Sequence, residues 1–101
     1  IKTVSMYRRY EVDIRVNGEC FRELWIDPHY EEKHKDSIND QLIQELVKEI
    51  DGWLITLSAE VSGYAFYEAD VNYQGKAYRL ILVIPPDGAY LGVRNAYRRS
   101  K

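Results

Sequence analysis

Glycine-containing turn dipeptides divide much of this chain into β-hairpins. Asn17-Gly18 follows residues 3–16, a run in which apolar side chains fall on even positions. That period of two predicts a strand with one buried face, and Asn-Gly favours a type I′ turn because both central residues need positive φ. Residues 20–26 are then predicted to return as a second strand. The apolar even positions are Val4, Met6, Tyr10, Val12, Ile14 and Val16.

A helical region is predicted from residue 28 to about residue 50. Asp27 suits an N-cap, and Pro28 suits the first helical position, where its missing N–H would have no partner. A break is expected at residues 36–37. The helical region therefore reads as a short polar helix followed by a longer one.

The longer helix is predicted to carry the structural role. Ser37 and Asp40 have the spacing of an N-terminal cap, and Gly52 suits the left-handed position that closes a helix. Between them the apolar residues recur at helical spacing and form one stripe that would face a core. The stripe consists of Ile38, Leu42, Ile43, Leu46, Val47 and Ile50.

Four further strands are predicted after residue 52. Leu80–Ile84 is apolar at every position, which is typical of a central strand covered on both faces. The sequence thus predicts one α+β domain, residues 1–101. An N-terminal β-hairpin, two helices and a four-strand C-terminal meander would form an antiparallel sheet with the helices packed on one face. The other face would be free for a ligand or partner. The predicted strands are Trp53–Val61, Tyr64–Tyr73, Ala77–Ile84 and Tyr90–Arg98.

The composition favours a folded globular protein, with 46% hydrophobic and 30% charged residues. The sequence contains no apolar run of about 18 residues, so no membrane span is expected. Cys20 is the only cysteine. It excludes an internal disulfide framework, and its spacing from His29 and His34 matches no zinc site. We expect neither metal nor cofactor. The chain begins at Ile1 instead of methionine, so we expect either an excised domain or a trimmed chain, and export is left open.

A net charge of -2 hides an uneven charge distribution. Residues 1–10 and 92–101 contain half of the 14 basic residues and no acid, and all 16 acids lie between them. If the two ends meet, they form a basic patch of the kind that phosphate binding requires. The alternative is that the basic ends are only solvated. The basic residues are Lys2, Arg8, Arg9, Arg94, Arg98, Arg99 and Lys101.

The segment Asp27–His34 holds both histidines of the chain and has almost no apolar face, so packing alone does not explain its composition. A helix would place His29 and Lys33 one turn apart, and likewise Tyr30 and His34. Metal-free RNA cleavage needs a base for the ribose 2′-hydroxyl, an acid for the leaving oxygen and a cation for the phosphorane. Histidine and arginine suit these roles. The alternative is a solvated surface helix.

The C-terminal run Leu91–Arg99 (LGVRNAYRR), together with the Asp-Pro-His segment, resembles small bacterial toxin nucleases of the barnase, EndoU, colicin and RelE group. The resemblance implies a metal-independent ribonuclease that cleaves transfer RNA or messenger RNA in the cytoplasm. A delivered toxin domain is compatible with it. It also implies a cognate antitoxin or immunity protein as partner.

The resemblance also implies roles for individual residues. His29 or His34 would be the general base or acid, Tyr97 would orient or protonate, and Arg98 with Lys33 would stabilise the phosphate. The residues that contact RNA would be Tyr30, Arg94, Asn95, Arg99, Arg8 and Arg9.

A second hypothesis is a non-enzymatic protein-interaction module that uses an exposed tyrosine-rich sheet face. The two hypotheses differ in one distance. A nuclease requires the histidines within about 15 Å of Tyr97 and Arg98, because one substrate has to reach both groups.

Overall fold

Six strands form one mixed β-sheet in the computed structural model, which describes residues 6–99. The strands are β1 (Arg8–Val16), β2 (Glu19–Ile26), β3 (Leu57–Val61), β4 (Tyr64–Tyr73), β5 (Lys76–Ile84) and β6 (Leu91–Arg98). Their order across the sheet is β1-β2-β6-β5-β4-β3. Between β2 and β3 lie a 3₁₀ helix (Pro28–Tyr30), the single-turn helix α1 (Glu31–His34) and helix α2 (Asp40–Glu49).

The predicted antiparallel fold is wrong, because β2 and β6 run parallel and join the N-terminal hairpin to the other strands in one sheet. Leu24 lies beside Leu91 and Ile26 beside Val93, and all four residues are buried. Alternating patterns identify the buried face of a strand but not the strand that lies next to it. The sequence therefore left this pairing open.

The prediction of two helices packed on one face is wrong as well. Strand accounts for 53% of the described chain and helix for 18%. Residues 28–34 form only two short turns, in which Tyr30 alone is buried. Asp27 does cap the first turn as predicted, since its Oδ1 accepts a hydrogen bond from the His29 N–H at 2.9 Å.

The predicted hairpin turn at Asn17-Gly18 is confirmed. Its residues have φ angles of 53° and 80°, as a type I′ turn requires. Ser62-Gly63 and Gln74-Gly75 form turns of the same kind, again with two positive φ angles each. These three turns set the registers of the hairpins β1–β2, β3–β4 and β4–β5.

Helix α2 begins after Asn39, whose Oδ1 accepts a hydrogen bond from the Leu42 N–H at 2.8 Å. The cap predicted at Ser37 is therefore wrong, since Asn39 supplies the same chemistry two residues later. The buried face of α2, Ile43, Leu46 and Val47, belongs to the same core as the buried residues of the sheet. Burying each such aliphatic side chain stabilises the fold by roughly 1.5–3 kcal/mol.

Strand β3 forms one edge of the sheet and is exposed along its whole length. It begins at Leu57, later than the predicted Trp53, which makes only an isolated bridge with Val16. Within residues 6–99, none of the helices has the length and apolar content needed to cross a membrane.

Candidate functional site

One face of the sheet carries the candidate functional residues. Residues that pair across antiparallel strands point to the same face, and so do residues two apart on one strand. The register pairs Asp70 with Arg79 and Arg79 with Tyr97 in one row. We call this side the open face, because most of its side chains are half-buried or exposed. Its further members are Trp25, Phe66, Glu68, Ile81, Val83, Gly92 and Asn95.

His34 lies against the open face at the end of β6. The chain leaves β2 at Asp27, whose N–H donates to the Val93 carbonyl at 2.9 Å, and the short turns then run beside β6. The His34 ring is half-buried, with its centroid 5.4 Å from that of Tyr97 and the two planes tilted by 34°. The histidine segment and the last strand therefore converge.

Arg79 completes this group from the neighbouring strand. Its Nε lies 2.7 Å from Asp70 Oδ1, and a terminal nitrogen lies 3.2 Å from Oδ2, so Asp70 holds the guanidinium at two points. Arg99 contacts the same carboxylate at 3.2 Å. We call His34, Tyr97, Arg79, Asp70 and Arg99 the His34 cluster.

Charge pairing dominates the electrostatics of the His34 cluster. The pKa of Arg79 is raised, first by its hydrogen bond to Asp70 and next by the neighbouring Tyr97 side chain. In the same pair, the hydrogen bond from Arg79 lowers the pKa of the Asp70 carboxyl. Asp70 fixes the orientation of the Arg79 guanidinium, and Glu68 lies 3.7 Å from its other terminal nitrogen, beyond hydrogen-bond distance. Because a guanidinium has five N–H donors, Arg79 retains donors that are not hydrogen-bonded to Asp70.

Arg98 does not join Tyr97, contrary to the sequence prediction. It pairs with Tyr78, a core residue, and therefore lies on the opposite face of the sheet. Neighbouring residues in a strand point to opposite faces, so one strand could not present both side chains to one substrate. Arg79, which pairs with Tyr97, lies where an arginine could take the role that was predicted for Arg98.

Two other predicted site residues of the short turns are more exposed to solvent than His34. His29 is exposed, and its Nδ1 is 3.5 Å from a Glu32 carboxylate oxygen. Lys33 is also exposed. Of the two histidines, His34 is the one that meets Tyr97.

Tyr30 and Arg8, predicted to contact RNA, instead belong to a network around Asp40. The Asp40 carboxylate accepts hydrogen bonds from Arg8 at 2.6 and 3.0 Å, from Tyr10 at 2.5 Å and from Tyr30 at 2.6 Å. Arg8 also contacts Glu31 at 2.8 Å. Tyr30 is 2% exposed, which leaves its ring no access to a ligand. This network ties β1 and the short turns to the start of α2.

Two of the predicted RNA-binding residues lie in the middle of the open face. Arg94 is exposed, with its Nε 3.4 Å from Asp27 and its guanidinium 5.9 Å from the Phe66 ring centroid. Asn95 is half-buried and pairs with Ile81, in the row next to Tyr97. Lys2 and Lys101, which the sequence placed in a terminal basic patch, lie outside the described residues.

An aromatic stack occupies the other end of the open face. Trp25 and Tyr90 are parallel, with ring centroids 3.8 Å apart, and the Arg9 guanidinium lies 4.2 Å from the Trp25 ring centroid. Gly92 makes room for this stack, because a Cβ there would lie 2.6 Å from Val83 and 3.3 Å from the Tyr90 ring.

Tyr90 also lines a cavity of about 400 Å³ at the surface. We call this cavity the aromatic slot, formed mainly by Tyr7, Tyr64, Phe66, Tyr90 and Arg94. Burial raises the pKa of Tyr90, and the neighbouring side chains Tyr64 and Tyr7 raise it further. The hydroxyl of Tyr90 is therefore held in its neutral form.

Sequence reasoning missed Arg79 and the aromatic residues of the aromatic slot, although it did predict Arg94 as an RNA-binding residue. Leu80–Ile84 predicts a strand covered on both faces, and Arg79 lies directly before that apolar run. In the sheet Arg79, Ile81 and Val83 share the open face. Because alternate residues of a strand share a face, the predicted strand Ala77–Ile84 already placed Arg79 on the face of Ile81 and Val83, but the sequence did not show which residue of β6 lies beside it.

Comparisons with protein-family models, curated proteins and solved structures found no match to this chain. In the part of the chain that the structure describes, no three His, Cys, Asp or Glu side chains are grouped to hold a metal ion.

Proposed function

We propose that this protein is a metal-independent endoribonuclease. The observation that supports it best is the contact of His34 with Tyr97, 5.4 Å between ring centroids, in the same group as Arg79. Cleavage of a ribose phosphodiester needs a base, an acid and a group that stabilises negative charge, and an imidazole, a phenol and a fixed guanidinium can supply these three.

Three members of the His34 cluster act directly in the proposed reaction. His34 accepts the proton of the ribose 2′-hydroxyl, whose oxygen then attacks the adjacent phosphorus. Arg79 donates hydrogen bonds to the phosphorane oxygens as their negative charge grows. The bond from phosphorus to the 5′-oxygen breaks, and the Tyr97 hydroxyl gives that oxygen its proton. The products are a 2′,3′-cyclic phosphate and a 5′-hydroxyl.

Asp70 positions Arg79 in this scheme. Its two contacts with the guanidinium fix the plane in which the remaining N–H groups point. Such preorganisation matters because donors that are already oriented do not have to rearrange as charge develops.

The purified protein is expected to cut single-stranded RNA and transfer RNA in the presence of EDTA. The products should carry 2′,3′-cyclic phosphate and 5′-hydroxyl ends, because the 2′-oxygen is the nucleophile. An RNA with a 2′-O-methyl group at the cleaved position should resist cleavage at that bond. Intact RNA after incubation with folded protein, or products with 5′-phosphate ends, would refute the proposal.

Changing Arg79 to alanine is expected to reduce kcat by about 10²–10³-fold, the usual cost of removing a donor to a developing oxyanion. Arg98→Ala is the control, since Arg98 is another arginine of the same sheet and directly follows Tyr97, but it is exposed and lies on the opposite face. It should cleave RNA at close to the wild-type rate. Single-turnover rates on one labelled RNA compare the two variants. If Arg98→Ala proves the slower enzyme, the role assigned to Arg79 is wrong.

A cognate antitoxin or immunity protein is the proposed partner. The exposed edge strand β3 supports a protein partner, because an unpaired strand edge with apolar side chains is suited to strand addition. Leu57 and Val61 on this strand are 50% and 60% exposed, and Leu54 just before it is 85% exposed.

The alternative function, a protein-interaction module without catalysis, draws on the same exposed edge and on the aromatic residues of the open face. It predicts a stable complex that forms equally well when His34 is replaced. A protein with this function would not cleave RNA.

A further inference from the structure

The aromatic slot has features that the proposed reaction at the His34 cluster does not use. Its wall at Tyr90 is held in place by the parallel contact with Trp25 at 3.8 Å. Gly92 suits the position below that contact, because a Cβ there would lie 2.6 Å from Val83 and 3.3 Å from the Tyr90 ring. One wall of the slot is therefore a tyrosine ring stacked on a tryptophan.

The other residues that line the aromatic slot suit a ligand that has a planar ring with a negative charge next to it. Tyr64, 41% exposed, and the half-buried Phe66 offer two further rings, while Arg94 brings a guanidinium to within 5.9 Å of the Phe66 ring centroid. Aromatic rings stack on nucleobases of any sequence, and arginine pairs with the phosphate of the backbone.

We propose that the aromatic slot binds one unpaired base of the single-stranded RNA whose backbone is cleaved at the His34 cluster. The inference rests on the proposed function, since it assigns the slot to the same substrate. Phe66 and Asp70 lie on one face of β4, four residues apart. At strand geometry that is about 13 Å. A short single strand extends over this distance along the open face.

The substrate class follows from the shape of the slot. A base can enter between the aromatic side chains only if it is unpaired and unstacked. Single-stranded loops and ends are therefore the expected targets, and duplex RNA is not.

The test is binding of a fluorescent 2′-O-methyl RNA of about eight nucleotides, a length within the site sizes of single-strand binding folds. This RNA lacks the 2′-hydroxyl nucleophile, so affinity is measured without cleavage. Tyr90→Ala and Phe66→Leu are expected to raise Kd by about 5- to 100-fold. Tyr90→Phe keeps the ring and should bind like the wild type. Leu54→Ala is the matched control, an exposed apolar residue outside the slot.

Thermal unfolding of each variant verifies the fold, and Phe66→Leu retains an apolar side chain in case Tyr90→Ala destabilises the sheet. An unchanged Kd in both folded variants overturns the inference. So does equally tight binding of a duplex of the same sequence.

The results separate this inference from the proposed function. If the protein does not cut RNA but binds the 2′-O-methyl strand in a Tyr90-dependent way, the slot is correct and the nuclease is not. If it cuts RNA while Tyr90→Ala and Phe66→Leu bind like the wild type, the nuclease is correct and the slot is not.

Discussion

Replacing His34 by alanine is expected to lower the rate of RNA cleavage by about 10²–10⁴-fold, the usual contribution of a positioned general base. The variant keeps Arg79 and Tyr97, so it should still bind RNA. The loss should therefore appear in kcat rather than in KM. Single-turnover cleavage of one labelled RNA, with enzyme in excess, measures this rate directly.

His29→Ala is the matched control for that experiment. His29 lies five residues earlier in the same short segment but is exposed and faces Glu32, 3.5 Å from its Nδ1. It should cleave RNA at nearly the wild-type rate. A variant His34→Gln, which keeps a planar polar side chain, should be as slow as His34→Ala if the proton transfer matters. Fast cleavage by His34→Ala, or loss of activity in His29→Ala, would contradict the assignment.

The local elements of this fold were largely readable from the sequence. The hairpin turns follow from glycine and its neighbour, because type I′ geometry needs positive φ at both positions and few residue pairs provide it cheaply. Asn17-Gly18 is the clearest case. Strand β4, Tyr64–Tyr73, was predicted with its observed limits.

The arrangement of those elements was not readable in the same way. The parallel pairing of β2 with β6 depends on which apolar faces meet in the core, and many pairings of Leu and Ile side chains would bury similar area. The short turns after Asp27 were predicted as a helix because capping signals do not determine how far a helix continues.

The candidate site was likewise predicted only in part. The proximity of His34 and Tyr97 was a hypothesis from the sequence, and the two rings are in contact. The prediction that Arg98 lies with Tyr97 was wrong. Arg98 pairs with the core residue Tyr78, while Arg79 pairs with Tyr97. Alternation along β6 already required Tyr97 and Arg98 to point to opposite faces. Only the register identified the arginine that faces Tyr97.

Asp40 is expected to be the polar residue whose loss destabilises the protein most. Its carboxylate accepts hydrogen bonds from Arg8, Tyr10 and Tyr30, which lie on β1 and on the turns that lead to His34. Hydrogen bonds to a charged group contribute about 1.5–3 kcal/mol each, and those sharing one acceptor are not additive. Asp40→Ala should therefore lower the free energy of unfolding by about 2–4 kcal/mol in urea titrations.

The exposed Asp36 supplies the control, because it lies on the loop before α2. Asp36→Ala should change the free energy of unfolding by no more than about 0.5 kcal/mol. An Asp40→Ala variant as stable as Asp36→Ala would mean that the network around Asp40 contributes nothing net.

The same network predicts how stability depends on pH. Burial raises the pKa of Asp40, but the hydrogen bonds from Arg8, Tyr10 and Tyr30 outweigh it and place the folded-state pKa below the ordinary value of 3.8. A carboxyl with a lowered pKa stabilises the folded state above its unfolded pKa, and this contribution disappears as the pH falls through the folded pKa.

The difference in unfolding free energy between wild type and Asp40→Asn should therefore be constant above about pH 5 and shrink as the pH falls below it. The asparagine variant has no proton to gain at this position, so its own stability should fall less steeply in acid. Urea titrations at a series of pH values measure both curves. An ordinary carboxyl is protonated well below pH 3.8. If the wild type is still folded there and the difference in unfolding free energy has stayed constant, the lowered pKa is contradicted. A difference that grows in acid would contradict it under any condition, because it would require Asp40 to bind its proton more tightly in the folded chain than in the unfolded one.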